Sequence, residues 1–356
     1  MGSMEHSVTK ERQLHMDLLR IFACFSVLML HTSSQFWYTL PVKSTEWIIS
    51  NVYDSAFRFG VPIFVMISGR FFLARPGEID VEKLYRKHIL RLVTAFGIWS
   101  AVYGIWDCRH WMGNEGVGWK SYVAEMMFGR YHLWYLPMLI GIYIVLPILK
   151  SWVMHCSKKN MEYFLFMFGV IQLGISTLKI VYIPTPVLQV INQFSNVDMV
   201  CSYIGYFILG YYLYKYPLAE RKQRLTYLGG ILGLVGAVGI STLDAFNEAS
   251  PVSVAFDSFS IFTFGVTVAI YVFFQEVIGK KNLRKGEKLI RELSANTFGI
   301  YLMHILLIEF LEEKGITSMS VNNIIGIPLL AIGCFLICGL MASLLRRIPV
   351  LGKYIC

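Results

Sequence analysis

The apolar run HMDLLRIFACFSVLMLH carries three titratable side chains where lipid would favour none: Asp17, Arg20 and His31. An α-helix turns about 100° per residue and rises about 1.5 Å. Arg20 and His31, with ten residues between them, therefore return to nearly one face, about 16 Å apart along the axis. Asp17 stands three residues before Arg20, on a neighbouring part of that face. A charge near the bilayer centre costs about 2.5–3.5 kcal/mol on insertion scales, so such a stripe belongs against protein or a cavity. Imidazole titrates near neutral pH and can act as a general base. Guanidinium matches oxyanions in a fixed fork. Alone, Arg20 would be read as snorkelling to the interface and His31 as a core histidine. Taken together, the aligned set points to proton chemistry beside an anionic ligand.

Other apolar runs carry similar groups. Asn51, Asp54 and Arg58 precede VPIFVMISG. Asp54 and Arg58 stand four apart and can pair along one helix, either as part of a site or only as a lock between helices. Pro62 is expected to bend that helix. The segment RYHLWYLP places His132, Trp134 and Tyr135 at a helix end, where aromatic anchors are ordinary. SANTFGIYLMHILLIEFLEE sets His304 near mid-membrane and Glu309 above it. Nothing resembles a Walker loop, a dinucleotide-binding turn or a zinc cluster, and no metal is expected. The seven cysteines form no CxxC pair. Cys334 and Cys338 share a helix face and are read as packing.

These residues must be positioned by membrane-spanning helices. The chain has 356 residues, of which 56% are hydrophobic and only 15% charged, against about a quarter charged in soluble domains. Ten runs are long enough to cross a bilayer: about 16–38, 47–72, 89–107, 132–150, 161–183, 197–215, 225–243, 254–277, 294–312 and 323–345. Lys and Arg cluster in alternate connections, including Arg70 to Arg91, Lys215 to Arg224, Lys280 to Arg291 and the Arg346–Lys353 tail. With ten spans all of these fall on one side, which the positive-inside rule assigns to the cytoplasm together with both termini. The net charge of +9 is accordingly read as anchoring at an anionic leaflet rather than nucleic-acid binding. The expected organisation is all-α and polytopic. It comprises a cytoplasmic segment 1–14, a transmembrane domain 15–346 and a cytoplasmic tail 347–356. Residues 1–3 are read as an expression remnant. The longest outer connection, about 107–131, is expected to lie along the membrane surface. In GGILGLVGAVG, Gly229, Gly233 and Gly236 are expected to let helices approach closely.

Several of these segments together resemble the acyltransferase-3 family. DLLRIFACFSVLMLH is similar to its first-helix signature, an arginine and a histidine separated by ten residues, here Arg20 and His31, with Asp17 at the acidic position. RFGVPIFVMISGRFFL resembles the second helix, including Arg58 before VP. VEKLYRKHILRLV resembles the basic segment that follows, YHLWYLPMLIGIYIVLP the fourth helix, and SANTFGIYLMH a late Tyr–His helix containing Tyr301. The order is kept over most of the chain. One departure is His88, where the family commonly has arginine, although Arg86 and Arg91 are kept.

The resemblance implies a ten-helix enzyme of the cytoplasmic membrane that transfers an acyl group, often acetyl, from cytoplasmic coenzyme A. Its acceptor would be a hydroxyl on an envelope glycan or other exported molecule. Coenzyme A is a phosphate-bearing anion, so Arg20, Arg86, Lys87 and Arg91 are the expected donor contacts. His31, Arg20 and Asp54 form the expected catalytic set, with His31 as general base or transient acyl carrier and Asp54 orienting it. Arg58, His132, Trp134, Tyr135, His304 and Glu309 are the expected acceptor contacts, and Asp17 and Tyr301 their support. Arg20 and His31 are expected to line a shared tunnel for the thioester arm. A transporter of a small polar solute, such as an amino acid or glycan intermediate, is the competing class, because an aqueous path with buried His, Arg and Asp also suits proton-coupled movement. The expected partners are the acyl donor, a hydroxylated acceptor and the bilayer; oligomeric state leaves no mark in the sequence.

Overall fold

Apolar segments of this length in lipid must satisfy every backbone group internally, and helices do so within one segment. The computed structural model describes residues 13–111, 129–178, 180, 198–349, 352 and 354. Among the described residues 81% are helical and none lies in a strand, so the chain is all-α. Nine helical segments among them are long and apolar enough to cross a membrane. The protein is therefore a multi-pass membrane protein. The outer connection expected along the membrane surface lies largely outside the described residues, as does most of the N-terminal segment.

The helices are α1 (Leu14–Ser33), α2 (Thr45–Ala56), α3 (Gly60–Leu73), α4 (Leu90–Trp111), α5 (Tyr135–His155), α6 (Lys158–Met167), α7 (Asp198–Lys215), α8 (Glu220–Glu248), α9 (Ile261–Glu276), α10 (Glu287–Glu313) and α11 (Asn323–Leu345). Helix α1 packs against α2, α3, α9, α10 and α11, which explains how it can carry a polar stripe out of contact with lipid. Outward faces are apolar instead. Ile231, Leu232 and Val235 on α8 and Leu336 and Leu340 on α11 are exposed, as lipid-facing residues should be.

The second expected span is not one helix. It breaks at Phe57–Phe59, between α2 and α3. Pro62 sits in the first turn of α3, where its missing N–H costs no helical bond, so it starts a helix rather than bending one. Gly60 meets α1 so closely that a Cβ there would collide with Ser26 and the Ala23 carbonyl. The expected sixth span is present as α7. Five tyrosines lower its hydropathy, and it is held by close backbone contact rather than by lipid. Gly69 of α3 faces the Phe207 backbone, and Gly210 of α7 faces the Met66 backbone. Helices α8 and α9 use the same device: Gly233 abuts the Phe262 carbonyl, Gly236 the Phe262 ring, and Gly265 the Gly229 carbonyl. The close approach expected from the glycine run is thus realised at Gly233 and Gly236, whereas a Cβ at Gly229 would meet open space and Gly230 packs against Ala269 instead.

Two further polar contacts hold helices together. The buried Lys150 ammonium donates to the carbonyls of Leu73, at 2.8 Å, and Arg75, at 2.5 Å, closing the C-terminus of α3, where a cation also meets the helix dipole favourably. Asn51 accepts from the Trp37 indole at 3.1 Å and donates to Ser241 and Thr242. Asn51 and Trp37 are therefore joined in a second, smaller core with Trp47 and Phe256.

Candidate active site

The first helix places its charges in two cavities rather than one. The first, about 560 Å³, is lined by Arg20, Lys87, His88, Arg91 and Arg346, with Tyr135, Tyr143, Ser294 and Tyr301 among its other walls. The second, about 570 Å³, is lined by His31, Asp54, Arg58, Tyr131, His132, Trp134, Glu309 and Glu312, among others. The two share no lining residue. The start of α1 and the end of α11 meet in the first, whereas the ends of α1 and α10 meet in the second, beside the break between α2 and α3. That is the antiparallel order an alternating set of spans requires, and it puts the Lys/Arg-rich end at the first cavity.

At the basic end, Ser294 Oγ donates to Asp17 Oδ1 at 2.7 Å. The Arg20 guanidinium lies 3.5 Å from the same oxygen and 3.4 Å from Ser294 Oγ. Asp17 is buried and Arg20 half-buried, so the carboxylate and hydroxyl hold the guanidinium against the cavity wall. Lys87 and His88 stand four and three residues before Arg91 and line the cavity with it, as neighbours on one helical face do. They lie in a π-helical turn, Leu84–Ile89, a distortion often found at functional sites. Arg86 is not brought to this cavity. It is exposed and pairs with Glu82 at 3.1 Å. Arg346, read in the sequence only as part of the basic tail, does reach it, donating to Asn296 at 2.7 Å with Glu292 3.4 Å away.

At the other end, His31 stands 5.1 Å from His304 and 5.7 Å from Tyr131 between ring centres. His304 in turn stands 5.3 Å from His132. His304 is fully buried and lines neither cavity. Its Nδ1 is 2.6 Å from the Tyr301 carbonyl, so that nitrogen bears the proton and the neutral ring keeps Nε2 as an acceptor. Asp54 is paired with Arg58 at 2.6 Å, and Arg58 stacks over Phe256 at 4.6 Å. Glu309 is bound by Arg130, which also donates to Asp107 at 2.7 Å. Sequence reading missed Arg130 and Asp107. The only available sign was a cation at the start of RYHLWYLP, on an end otherwise sparse in Lys and Arg.

A ring-lined septum divides the cavities. The Tyr301 hydroxyl donates to the His132 carbonyl. Tyr135 packs edge-on against Tyr301 at 5.5 Å, and Tyr103 against His132 at 4.9 Å. Tyr135, expected beside the acceptor, lines the basic cavity instead. The shared tunnel expected beside α1 is therefore two chambers, with Arg20 in one and His31 in the other.

Against this geometry, the model of a family described as an acyltransferase domain, acyltransferase-3, matches residues 14–343. The chain belongs to the acyltransferase-3 family. The match takes in nearly all of the spans, the second cavity and all of the first cavity's wall except Arg346 and Gly352, and marks the protein as a membrane acyltransferase. No curated protein and no solved structure gives a significant match.

Proposed function

We propose that this acyltransferase-3 protein moves an acetyl group from acetyl-CoA, entering at the basic cavity, to a hydroxyl of an exported glycan or other polyol bound in the second cavity. The observation that carries the reading is the stacking of two chambers on one helix, a cationic one holding Arg20 and a histidine-bearing one holding His31. Phosphates suit a wall of Lys87, Arg91 and Arg346, because guanidinium and ammonium donors make strong charge-assisted bonds to them. The thin pantetheine arm would pass Tyr135 and Tyr301, whose septum must part to bring the thioester to His31.

In the second chamber His31 takes the proton as the acceptor oxygen attacks the thioester carbonyl. The new C–O bond forms, the C–S bond breaks, and the departing thiolate recovers the proton from the imidazolium. Among the described residues the buried Nε–H of Arg58 has no partner, and this donor supports the developing oxyanion. His132 and Trp134 line the same wall and would hold the acceptor.

The test is acetyl-CoA turnover by purified protein in lipid nanodiscs, with CoA release as readout and His31→Ala as control. CoA binding retained with turnover lost supports the reading. Absence of CoA affinity, with flux of a small solute intact, would replace it with a carrier whose two chambers open in turn.

A further inference from the structure

The second cavity has a sign of its own. Among the described residues its wall holds three carboxylates, Asp54, Glu309 and Glu312, and a single guanidinium, Arg58. Asp54 and Arg58 neutralise each other. Arg130, which is not part of the wall, is shared between Glu309 and Asp107. Glu312 accepts from the neutral Gln35 amide at 2.8 Å. Two guanidiniums thus face four carboxylates, leaving two negative charges over. The next charges outward, Arg109 and Glu313, pair with each other at 3.2 Å, and Lys314 stands over the Phe310 ring, which is not in the wall. The first cavity has the opposite sign, with four permanent cations and no carboxylate among the described residues of its wall.

A second observation points to what the acidic chamber receives. Asp54 is completely buried, and among the described residues its Oδ1 has no hydrogen-bond partner, nor has the buried Oε2 of Glu309. A buried unpaired acceptor is costly unless a ligand supplies a donor. Hydroxyl and ammonium groups are donors, whereas ionised carboxylate and phosphate groups are not. Tyr38, Tyr131 and Trp134 in the same wall are exposed and offer ring faces, which attract cations and repel anions.

We infer that the chamber beside His31 selects by charge, admitting neutral or ammonium-bearing polyols such as sugars and amino sugars, and rejecting those with a carboxylate or phosphate near the reacting hydroxyl. That this molecule is an acyl acceptor rests on the proposed function; the charge selection does not. The same carboxylates keep the phosphates of the donor in the other chamber.

The experiment reads the chamber without turnover. Ser34 lines it, and Ser34→Cys gives a thiol there. Its reaction rates with the cationic ethyltrimethylammonium and the anionic ethylsulfonate methanethiosulfonates are each divided by the rate with free 2-mercaptoethanol. The unsubstituted protein supplies the background from its own thiols. The cationic reagent should be favoured by about ten-fold, a size typical of charge focusing in a cleft, and adding Glu312→Gln should reduce that preference severalfold. Tyr131→Cys gives the same comparison from the rim if Ser34→Cys folds poorly. Equal rates, or a preference for the anionic reagent, would overturn the inference. Acetyl transfer to glucosamine, glucose and glucuronate forms the second arm. Glucuronate as the best acceptor would also overturn it. Transfer to none of the three, with the thiol asymmetry intact, would count against acyl transfer alone.

Discussion

At the scale of single residues, His31 and the Asp54–Arg58 pair carry the sharpest expectations. His31→Ala should lower acetyl-transfer kcat by about 10²- to 10⁴-fold, the usual worth of a general base, while acetyl-CoA binding measured at equilibrium stays within about two-fold, because His31 lies outside the basic chamber. Turnover retained in that variant would remove His31 from the chemistry. Asp54 is completely buried and bonded at 2.6 Å to an arginine side chain 28% exposed. Asp54→Asn should lower stability by roughly 1–3 kcal/mol, the range for weakening a charge-assisted bond that is partly open to solvent. Adding Arg58→Gln should recover part of the loss, since the unpaired guanidinium is then gone as well. Thermal unfolding of the two single variants and the double variant in detergent checks this; losses that simply add would mean the pair is not coupled.

At the scale of elements, the C-terminus of α3 depends on a residue 77 positions away in sequence, Lys150, which meets the Leu73 and Arg75 carbonyls. Lys150→Met keeps the stem but removes the donors, and should cost about 1.5–3 kcal/mol as lost charge-assisted bonds. The readout is a lower unfolding temperature with acetyl-CoA affinity unchanged at temperatures below it; an unfolding temperature equal to that of the parent protein would deny the cap its role. Such a contact shows why some of the fold was legible in sequence and some was not. The stripe on α1 was readable because Asp17, Arg20 and His31 interrupt an apolar run at helical spacing, a purely local pattern. The break between α2 and α3 was hidden, since Phe57 and Phe59 are as apolar as any helical residue. The packing of α7 onto α3 depends on Gly69 and Gly210 meeting opposed backbones, which spacing within one segment cannot reveal. At the basic cavity Arg86, Lys87 and Arg91 were expected together; helical neighbourhood to Arg91 brings Lys87 and adds His88, while Arg86 turns out to Glu82. The Arg130 bridge joins Asp107 to Glu309, and nothing in either segment alone announces the other.

At the scale of the whole molecule, the ruling feature is the opposite charge of two chambers stacked along α1. If the basic one holds the phosphates of the donor, its cations contribute to donor affinity and little to the chemical step, because they lie on the far side of the septum from His31. Removing one cation should then raise KM at nearly constant kcat, the mark of binding energy felt equally in ground and transition states. Arg346 is the informative choice, being in the wall and distant in sequence from the first-helix motif. Arg346→Ala should raise KM for acetyl-CoA by about 5- to 20-fold, as expected for the loss of one charge-assisted contact of about 1–2 kcal/mol in a solvated pocket. Added salt should narrow the gap between the variant and the parent, since ionic screening weakens the lost contact. Acetyl-pantetheine has the same thioester and arm but no phosphate, so its KM should be the same for both proteins. An equal penalty for both donors would mean that Arg346 supports the wall through Asn296 and Glu292 rather than meeting a phosphate, and the basic chamber would then lose its assignment as the coenzyme A entrance.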